Sequence, residues 1–402
     1  MSGACDVVVV GAGPGGCAAA CLLAQQGVRV VVLEREHFPR FKIGESLLPG
    51  SLSVLTRMGV VPSELGYLRK LGAEFFDEAT GEHEYFPFAD ALPGPPRFAY
   101  QVERARFDRD LADAAVRAGA ELRFEVAASG YEITDDGVRI DTADGPVHAR
   151  YFVDAGGRRS LSSRGGRDVI PIEGLGRAAA FVHFDAIADD AWAELSARGD
   201  IKVLRIPEGW LWVIPLAGRR LSVGAVMRSG VVDEDLALRQ IAASPLLRRL
   251  TAGAQQGLRQ RVADYSYACT DTHGPRRAAI GDAAGFLDPV FSSGVTIALT
   301  SAANLVDRLL PALAEGREAD AELMAPLSRE SAVAYRSFHM IAHRFYNSRL
   351  LDNVFFAGDP DPELRAGLIS ILAGDVWRDD NRFQKMMLAA TRRELTGVPW
   401  AE

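Results

Sequence analysis

The most restrictive feature lies at the start of the chain. Cys5 to Val10, a β-branched run reading CDVVVV, passes directly into Gly11-Ala-Gly13-Pro-Gly15-Gly16 and then into the small-residue and apolar stretch Cys17 to Gln26. This order predicts strand, glycine turn and helix, the opening of a parallel α/β sheet that holds a dinucleotide. Gly11 permits the tight turn, Gly13 lets the backbone approach a pyrophosphate, and Gly16 allows close packing of helix on sheet. The helix start adds unpaired N–H donors and a positive dipole. A second strand is expected from Val28 to Leu33, ending in Glu34, an acid placed to accept hydrogen bonds from the adenosine ribose. Arg35 beside it joins the cofactor-binding candidates.

That fingerprint, with no basic residue before it, rules against reading the apolar start as a signal peptide, so a cytoplasmic protein is expected. Acidic residues outnumber basic ones by 53 to 45, a formal net charge of −8, which disfavours nucleic acid and anionic membranes as partners. No run of eighteen apolar residues occurs, so no transmembrane segment is expected. Cys5, Cys17, Cys21 and Cys269 lack C-x-x-C spacing and read as buried free thiols in a reducing compartment. His339 and His343 share a helix face, but Met340-Ile-Ala between them supplies no glutamate of an H-E-x-x-H site. They read as helix-surface or packing residues, and no metal is expected.

Two later segments bear on which dinucleotide is bound. Tyr151-Phe-Val153-Asp154-Ala-Gly156-Gly157 reads as a hydrophobic strand ending in an Asp-Gly loop. Ala278-Ala-Ile280-Gly281-Asp282-Ala-Ala-Gly285 reads as a strand, a Gly-Asp turn and a helix start. With the opening turn, these resemble the flavoprotein hydroxylase superfamily over most of residues 1 to 310, and the resemblance implies FAD rather than NAD. It further implies that Asp282 bonds the ribityl chain and that Arg104, in Gln101-Val-Glu-Arg104-Ala-Arg-Phe107-Asp108, stands beside the flavin. By themselves Asp282 reads equally as a helix N-cap and Arg104 as a solvated charge at a helix start.

The expected fold is α/β. A Rossmann-like FAD-binding domain (1–58, 101–167 and 270–310) carries an inserted, mostly antiparallel substrate domain (59–100 and 168–269) and a helical C-terminal region (311–402). Helical spacing covers Phe107 to Ala118, strands are expected at Glu121 to Val126, Arg205 to Leu216 and Arg220 to Met227, and Tyr131 to Asp154 alternates about a turn at Ala143-Asp144-Gly145. Beyond Pro311 the pattern is helical to Arg393, interrupted at Gly358 to Pro362.

Four segments narrow the resemblance to the flavin-dependent halogenases of the phenol and pyrrole type. Phe38-Pro39-Arg40-Phe41-Lys42-Ile43-Gly44-Glu45-Ser46-Leu47-Leu48-Pro49 is similar to their loop after the second strand, which related dehydrogenases share. Trp210-Leu-Trp212-Val-Ile214-Pro215 matches their W-x-W-x-I-P signature; two indoles two residues apart on a strand share a face and form an apolar wall, or simply a core pair. Asp288-Pro-Val-Phe291-Ser292-Ser293-Gly294-Val295 follows the Gly-Asp turn, and the resemblance implies that chloride or bromide lies on the amides of Ser293 and Gly294, with Ser292 among the catalytic candidates. Lys70, in Arg69-Lys70-Leu-Gly72-Ala73, stands where these enzymes place their active lysine; desolvation there would favour the neutral amine. Tryptophan halogenases carry a glutamate at the position of Phe291, which argues against free tryptophan. Gly285 and Thr296 also depart from the family pattern, and the C-terminal region is short.

The resemblance implies that reduced FAD from a separate flavin reductase, oxygen and halide give hypohalous acid. The acid passes Trp210 and Trp212 to Lys70 and halogenates an electron-rich aromatic ring, free or on an acyl carrier protein. The alternatives are hydroxylation, dehydrogenation or reduction of a prenyl or polyketide substrate on the same fold, and a non-catalytic flavin-binding redox sensor.

Overall fold

The computed structural model describes residues 5–162, 169–175, 178–207, 209–228, 232–263, 265–347, 361–391 and 400. Its first sheet is ordered His273–Gly274, Arg277–Ala279, Val147–Asp154, Cys5–Val10, Val30–Glu34, Glu121–Phe124. The last five strands of that order run parallel, as a dinucleotide sheet requires. An antiparallel excursion, Ala128–Thr134 and Gly137–Thr142, leads into Val147–Asp154. Cys5–Val10 has partners on both sides and is buried on both faces, which is why it reads as an unbroken valine run.

Helix Pro14–Ala24 follows the glycine turn, and all eleven of its residues are buried. It is sandwiched between the sheet, helix Arg104–Arg117 and helix Ser293–Glu315. The last of these, 23 residues long, is apolar and long enough to cross a membrane, but most of it is buried inside the protein as a core helix. It also passes through Pro311, where the boundary between the FAD-binding domain and the helical C-terminal region was expected. Pro311 lies four residues before the end of the helix, so it removes one i→i−4 hydrogen bond close to the last turn, and Gly316 ends the helix in the left-handed conformation at φ 69°.

A second, seven-stranded sheet is ordered Gln255–Ala263, Ala178–Asp185, Arg220–Met227, Gly209–Leu216, Ile201–Ile206, Gly72–Asp77, Glu82–Pro87. All neighbours are antiparallel except Ile201–Ile206 with Gly72–Asp77. Period-two alternation sorts its side chains. Phe75, Phe181, Trp210, Trp212 and Ile214 face the main core, whereas Leu204, Leu211, Val213 and Ala225 sit in a second cluster with Leu195, Ile241 and Leu247 of helices Asp189–Ser196, Leu236–Ala243 and Pro245–Leu250. The two-stranded pair Leu68–Lys70 and Ala99–Gln101 lies beside this sheet.

Two expected boundaries move. The strand from Arg205 to Leu216 is two strands parted at Pro207, which cannot donate to a ladder. The second strand is Val30–Glu34, so Glu34 belongs to the sheet. Helices Ala325–Asn347, Pro362–Leu372 and Arg382–Thr391 form the C-terminal part. The interruption expected at Gly358 to Pro362 falls mostly outside the described residues; Asp361 caps the next helix by accepting from the amides of Glu363 and Leu364.

A Cβ placed on Gly16 would stand 1.9 Å from the Gly11 carbonyl oxygen. Gly16→Ala is therefore expected to lower the unfolding free energy by about 1–3 kcal/mol, as overpacking does. Urea titration checks this, and wild-type stability in the variant would refute it.

Candidate functional site

The glycine turn divides its labour. Gly11 has φ 101° and lies against the Ala155 carbonyl, and Gly16 lies against Gly11, so both serve the fold. Gly13 faces open space: a Cβ there would meet only the Arg40 guanidinium, 4.0 Å away. That clearance beside the start of helix Pro14–Ala24 fits a pyrophosphate, so the residues present suit FAD.

Glu34 is buried beside this turn. One carboxylate oxygen accepts from the Ala12 amide at 2.9 Å and the other from the Glu36 amide at 3.0 Å, and the latter keeps a lone pair for a ribose hydroxyl. Arg35, next to it, lies exposed against Glu36. Arg104 is buried; it donates to both oxygens of Asp108 and to the Ile43 carbonyl at 2.5 Å. Arg40, treated in the sequence only as part of a loop, donates to the same Asp108 at 2.9 Å and reaches Glu34 at 3.5 Å. Its Nε makes no hydrogen bond among the described residues but lies 3.8 Å from a Glu36 carboxylate oxygen, and Arg40 is the cation nearest the Gly13 opening.

Asp282 lies in the turn Gly281–Ala283, beside a small cleft that it lines with Phe286, Ser293, Gly294 and Tyr335. Burial pushes its carboxyl up to about 6, against the opposing pull of Arg104 and Arg158. Tyr335 donates to the carbonyls of Gly281 and Gly285 and fixes the floor of the cleft. Ser292 sits at φ 55°, the left-handed turn that starts helix Ser293–Glu315. Ser293 and Gly294 are thus in a first turn, whose amides have no intrahelical acceptor. Thr296, one turn on, is buried and bonds Ser51 at 2.7 Å.

The two tryptophans are buried neighbours, ring centroids 5.9 Å apart. Trp212 donates to Ser222 at 3.1 Å and Trp210 to the Tyr346 hydroxyl at 2.6 Å. Tyr346 donates on to Asp288 at 3.0 Å, whose other oxygen accepts from the Val290 amide. Phe345 fills the angle between Trp210 and Phe291 with edge-on contacts to both. Helix Ala325–Asn347 therefore ties the indole wall to the serine turn, a connection no local motif announces.

Lys70 ends strand Leu68–Lys70 and is 1% exposed. Its Nζ donates to Ser46 Oγ at 2.8 Å and to the Leu47 carbonyl at 3.1 Å, and lies 5.2 Å from the centre of the Phe88 ring. Burial depresses its pKa to about 7, with Asp200 pulling the other way. The loop that supplies Ser46 and Leu47 also passes the flavin-side residues, since a Cβ on Gly44 would meet Arg104 at 3.0 Å and Val295 at 3.8 Å. One loop thus touches the arginine, the serine helix and the lysine. It carries a further buried pair, Glu45 with His183 at 3.0 Å, that the sequence did not suggest.

His339 is buried, held near 4 by desolvation and accepting from Trp400 at 3.4 Å, so it packs rather than lying on the helix surface. The four cysteines are buried and free.

The FAD binding domain family matches residues 4–334. The 1H-pyrrole-2-carbonyl-(peptidyl-carrier protein) chlorinase of Pseudomonas fluorescens is 28% identical, across 92% of this chain and 89% of that protein. The solved structure of the myxobacterial chondrochloren halogenase is 30% identical with a TM-score of 0.75, across 95% of this chain and 92% of that one. A flavoprotein/dehydrogenase from Cytophaga hutchinsonii is 28% identical with a TM-score of 0.85, across 95% and 96%.

Gly13→Val should empty the cradle of FAD by filling the pyrophosphate space; wild-type flavin absorbance in the purified variant would show that the cofactor lies elsewhere. Lys70 sets a pH dependence of stability. The unfolded chain keeps this proton up to about 10.5 and the folded chain releases it near 7. Between those values the unfolded state binds more protons, so this group makes stability rise with pH, at up to about 1.4 kcal/mol per unit. Lys70→Met should flatten that rise in denaturant titrations run across the window.

Proposed function

Because the chain belongs to the flavin-dependent halogenases, within the FAD binding domain family, we propose that it halogenates an electron-rich aromatic ring, a pyrrole or phenol, through Lys70. Bound FAD, reduced by a separate flavin reductase and reoxidised by oxygen, supplies the oxidising power that turns chloride or bromide into hypohalous acid. The chain's own residues control where that acid goes.

The observation that carries the reading is the setting of Lys70. A neutral amine has two N–H donors, and here two neutral acceptors, Ser46 Oγ and the Leu47 carbonyl, take both. The lone pair is left to react, and a pKa of about 7 keeps a large share of the amine neutral near physiological pH. The amine nitrogen attacks the halogen of hypohalous acid, forming N–halogen and releasing water. The ring then takes the halogen from nitrogen, and the proton the ring sheds goes to that nitrogen, so the amine is restored. Trp210 and Trp212 wall the route with apolar surface that excludes water. Ser292 presents the turn from which the Ser293 and Gly294 amides hold the halide.

Phe291, Phe345 and Phe75 surround the inner side of the wall with apolar rings, a lining that suits a neutral ring. The Pseudomonas relative's carrier-bound pyrrole makes a tethered substrate the first to test. A second reading, dehydrogenation on the same fold, is favoured by the likeness to the flavoprotein/dehydrogenase; it needs neither halide nor Lys70.

Assays with reduced FAD, oxygen and chloride or bromide should yield products with the halogen isotope pattern in mass spectra. Lys70→Ala should retain FAD and lose nearly all halogenated product while hypohalous acid escapes to a chemical trap, and Lys70→Arg should fail because guanidinium stays protonated. Regioselective halogenation by the alanine variant would remove Lys70 from the mechanism. No halogenation of any pyrrole or phenol, free or carrier-bound, would favour dehydrogenation.

A further inference from the structure

The backbone on both sides of Lys70 is gripped by one short loop from a distant part of the chain. Residues 198–200 precede strand Ile201–Ile206, which runs parallel to Gly72–Asp77. Asp200 is buried, 3% exposed, and its Oδ1 accepts from the amides of both Leu71, at 2.9 Å, and Gly72, at 2.5 Å, the two residues after Lys70. Its other oxygen is held by Arg198 Nε at 2.9 Å, and Arg198 is anchored in turn on Glu74 and over the Tyr85 ring. The Arg198 carbonyl also accepts from the Leu71 amide, and Gly199 lies so close to the Arg69 carbonyl that a Cβ would stand 2.0 Å away.

We propose that Asp200 is the positioning residue for Lys70: by capping the Leu71 and Gly72 amides it fixes the bend that aims the lysine side chain at Ser46 and Leu47. The assignment rests on the role given to Lys70 above. A carboxylate suits the task because one oxygen accepts two convergent N–H groups and a charged acceptor makes stronger bonds than a neutral one. Asp200 acts on Lys70 a second way, by its charge. Of the groups that face the lysine, Ser46 and Leu47 come from the loop after the second strand and Phe88 from the turn after Glu82–Pro87, all uncharged. Asp200 is the charge that opposes desolvation and raises the affinity of Lys70 for its proton. The same carboxylate thus orients the amine and limits how far burial lowers its basicity.

The chain has only four lysines, Lys42, Lys70, Lys202 and Lys385, so Lys70 can be followed directly. The test uses FAD-loaded protein with carbon-13 at lysine Cε, the Lys70 signal being the one lost in Lys70→Met. Asp200→Asn keeps an acceptor for the two amides and removes the charge; Asp200→Ala removes both. In Asp200→Asn the Lys70 titration midpoint should fall below that of the wild type. In Asp200→Ala the Lys70 chemical shift should change and the halogenation kcat should drop roughly tenfold to a hundredfold, as small misplacements of catalytic groups do, with FAD content retained. An unchanged Lys70 midpoint in Asp200→Asn, or wild-type kcat in Asp200→Ala, would overturn the assignment. Because the titration needs no turnover, a wild type that halogenates nothing would sink the proposed reaction and leave the positioning of Lys70 separately decided.

Discussion

Two helix starts, one for the pyrophosphate and one for the serine turn, are locked together where their helices cross at Ala298. A Cβ on Gly15 would lie 3.1 Å from the Ala298 carbonyl oxygen, and one on Gly281 would lie 2.8 Å from the Ala298 Cβ. Only small residues allow that approach. It holds helix Pro14–Ala24, the Asp282 turn and the start of Ser293–Glu315 as one corner, with the free amides of both helix starts fixed in place. The indole wall and the lysine loop are built outward from this corner, the first through Tyr346 and Asp288, the second through Gly44 beside Val295.

Charge burial is managed differently at the two ends. Around the glycine turn, Arg40 and Arg104 are balanced by Asp108 and Glu34, a network in which removal of one member would strand the rest. The two buried lysines diverge. Lys202 has the Glu74 carboxylate at 2.9 Å, whereas the contacts of Lys70 are neutral acceptors and a ring face. Desolvation without a contacting counter-charge is what moves Lys70 toward the amine form. Burial alone does not decide the charge state of a lysine; the nearest acceptors do.

What could be read from the chain alone follows this division. Strand, glycine turn and helix at residues 5–24, the Gly-Asp turn at 281–282 and the paired indoles are local patterns, and each appears where its spacing placed it. The α/β class followed from them, and the second, mostly antiparallel sheet from the family resemblance. Arg40, Tyr346, the Glu45 and His183 pair, and Asp200 were not legible. Each gains its role from a partner far along the chain, and an arginine in a loop or a tyrosine near a helix end has no periodicity to mark it. Pro207 and Pro311 show the opposite limit: the first ends a strand and the second leaves a helix intact, a difference decided by position within the element.

The nucleotide sheet also dictates an order of assembly. Its first strand, Cys5–Val10, takes Val147–Asp154 as one neighbour, and that strand in turn pairs with Arg277–Ala279. Newly made chain emerging from the ribosome therefore carries a bare valine edge until its partner is synthesised, and the cofactor cradle cannot close before Asp282 has emerged. Such long-range pairing folds slowly and exposes sticky strand edges in the interim. Yield from a heterologous host would then be set as much by chaperone supply and translation speed as by the stability of the finished molecule.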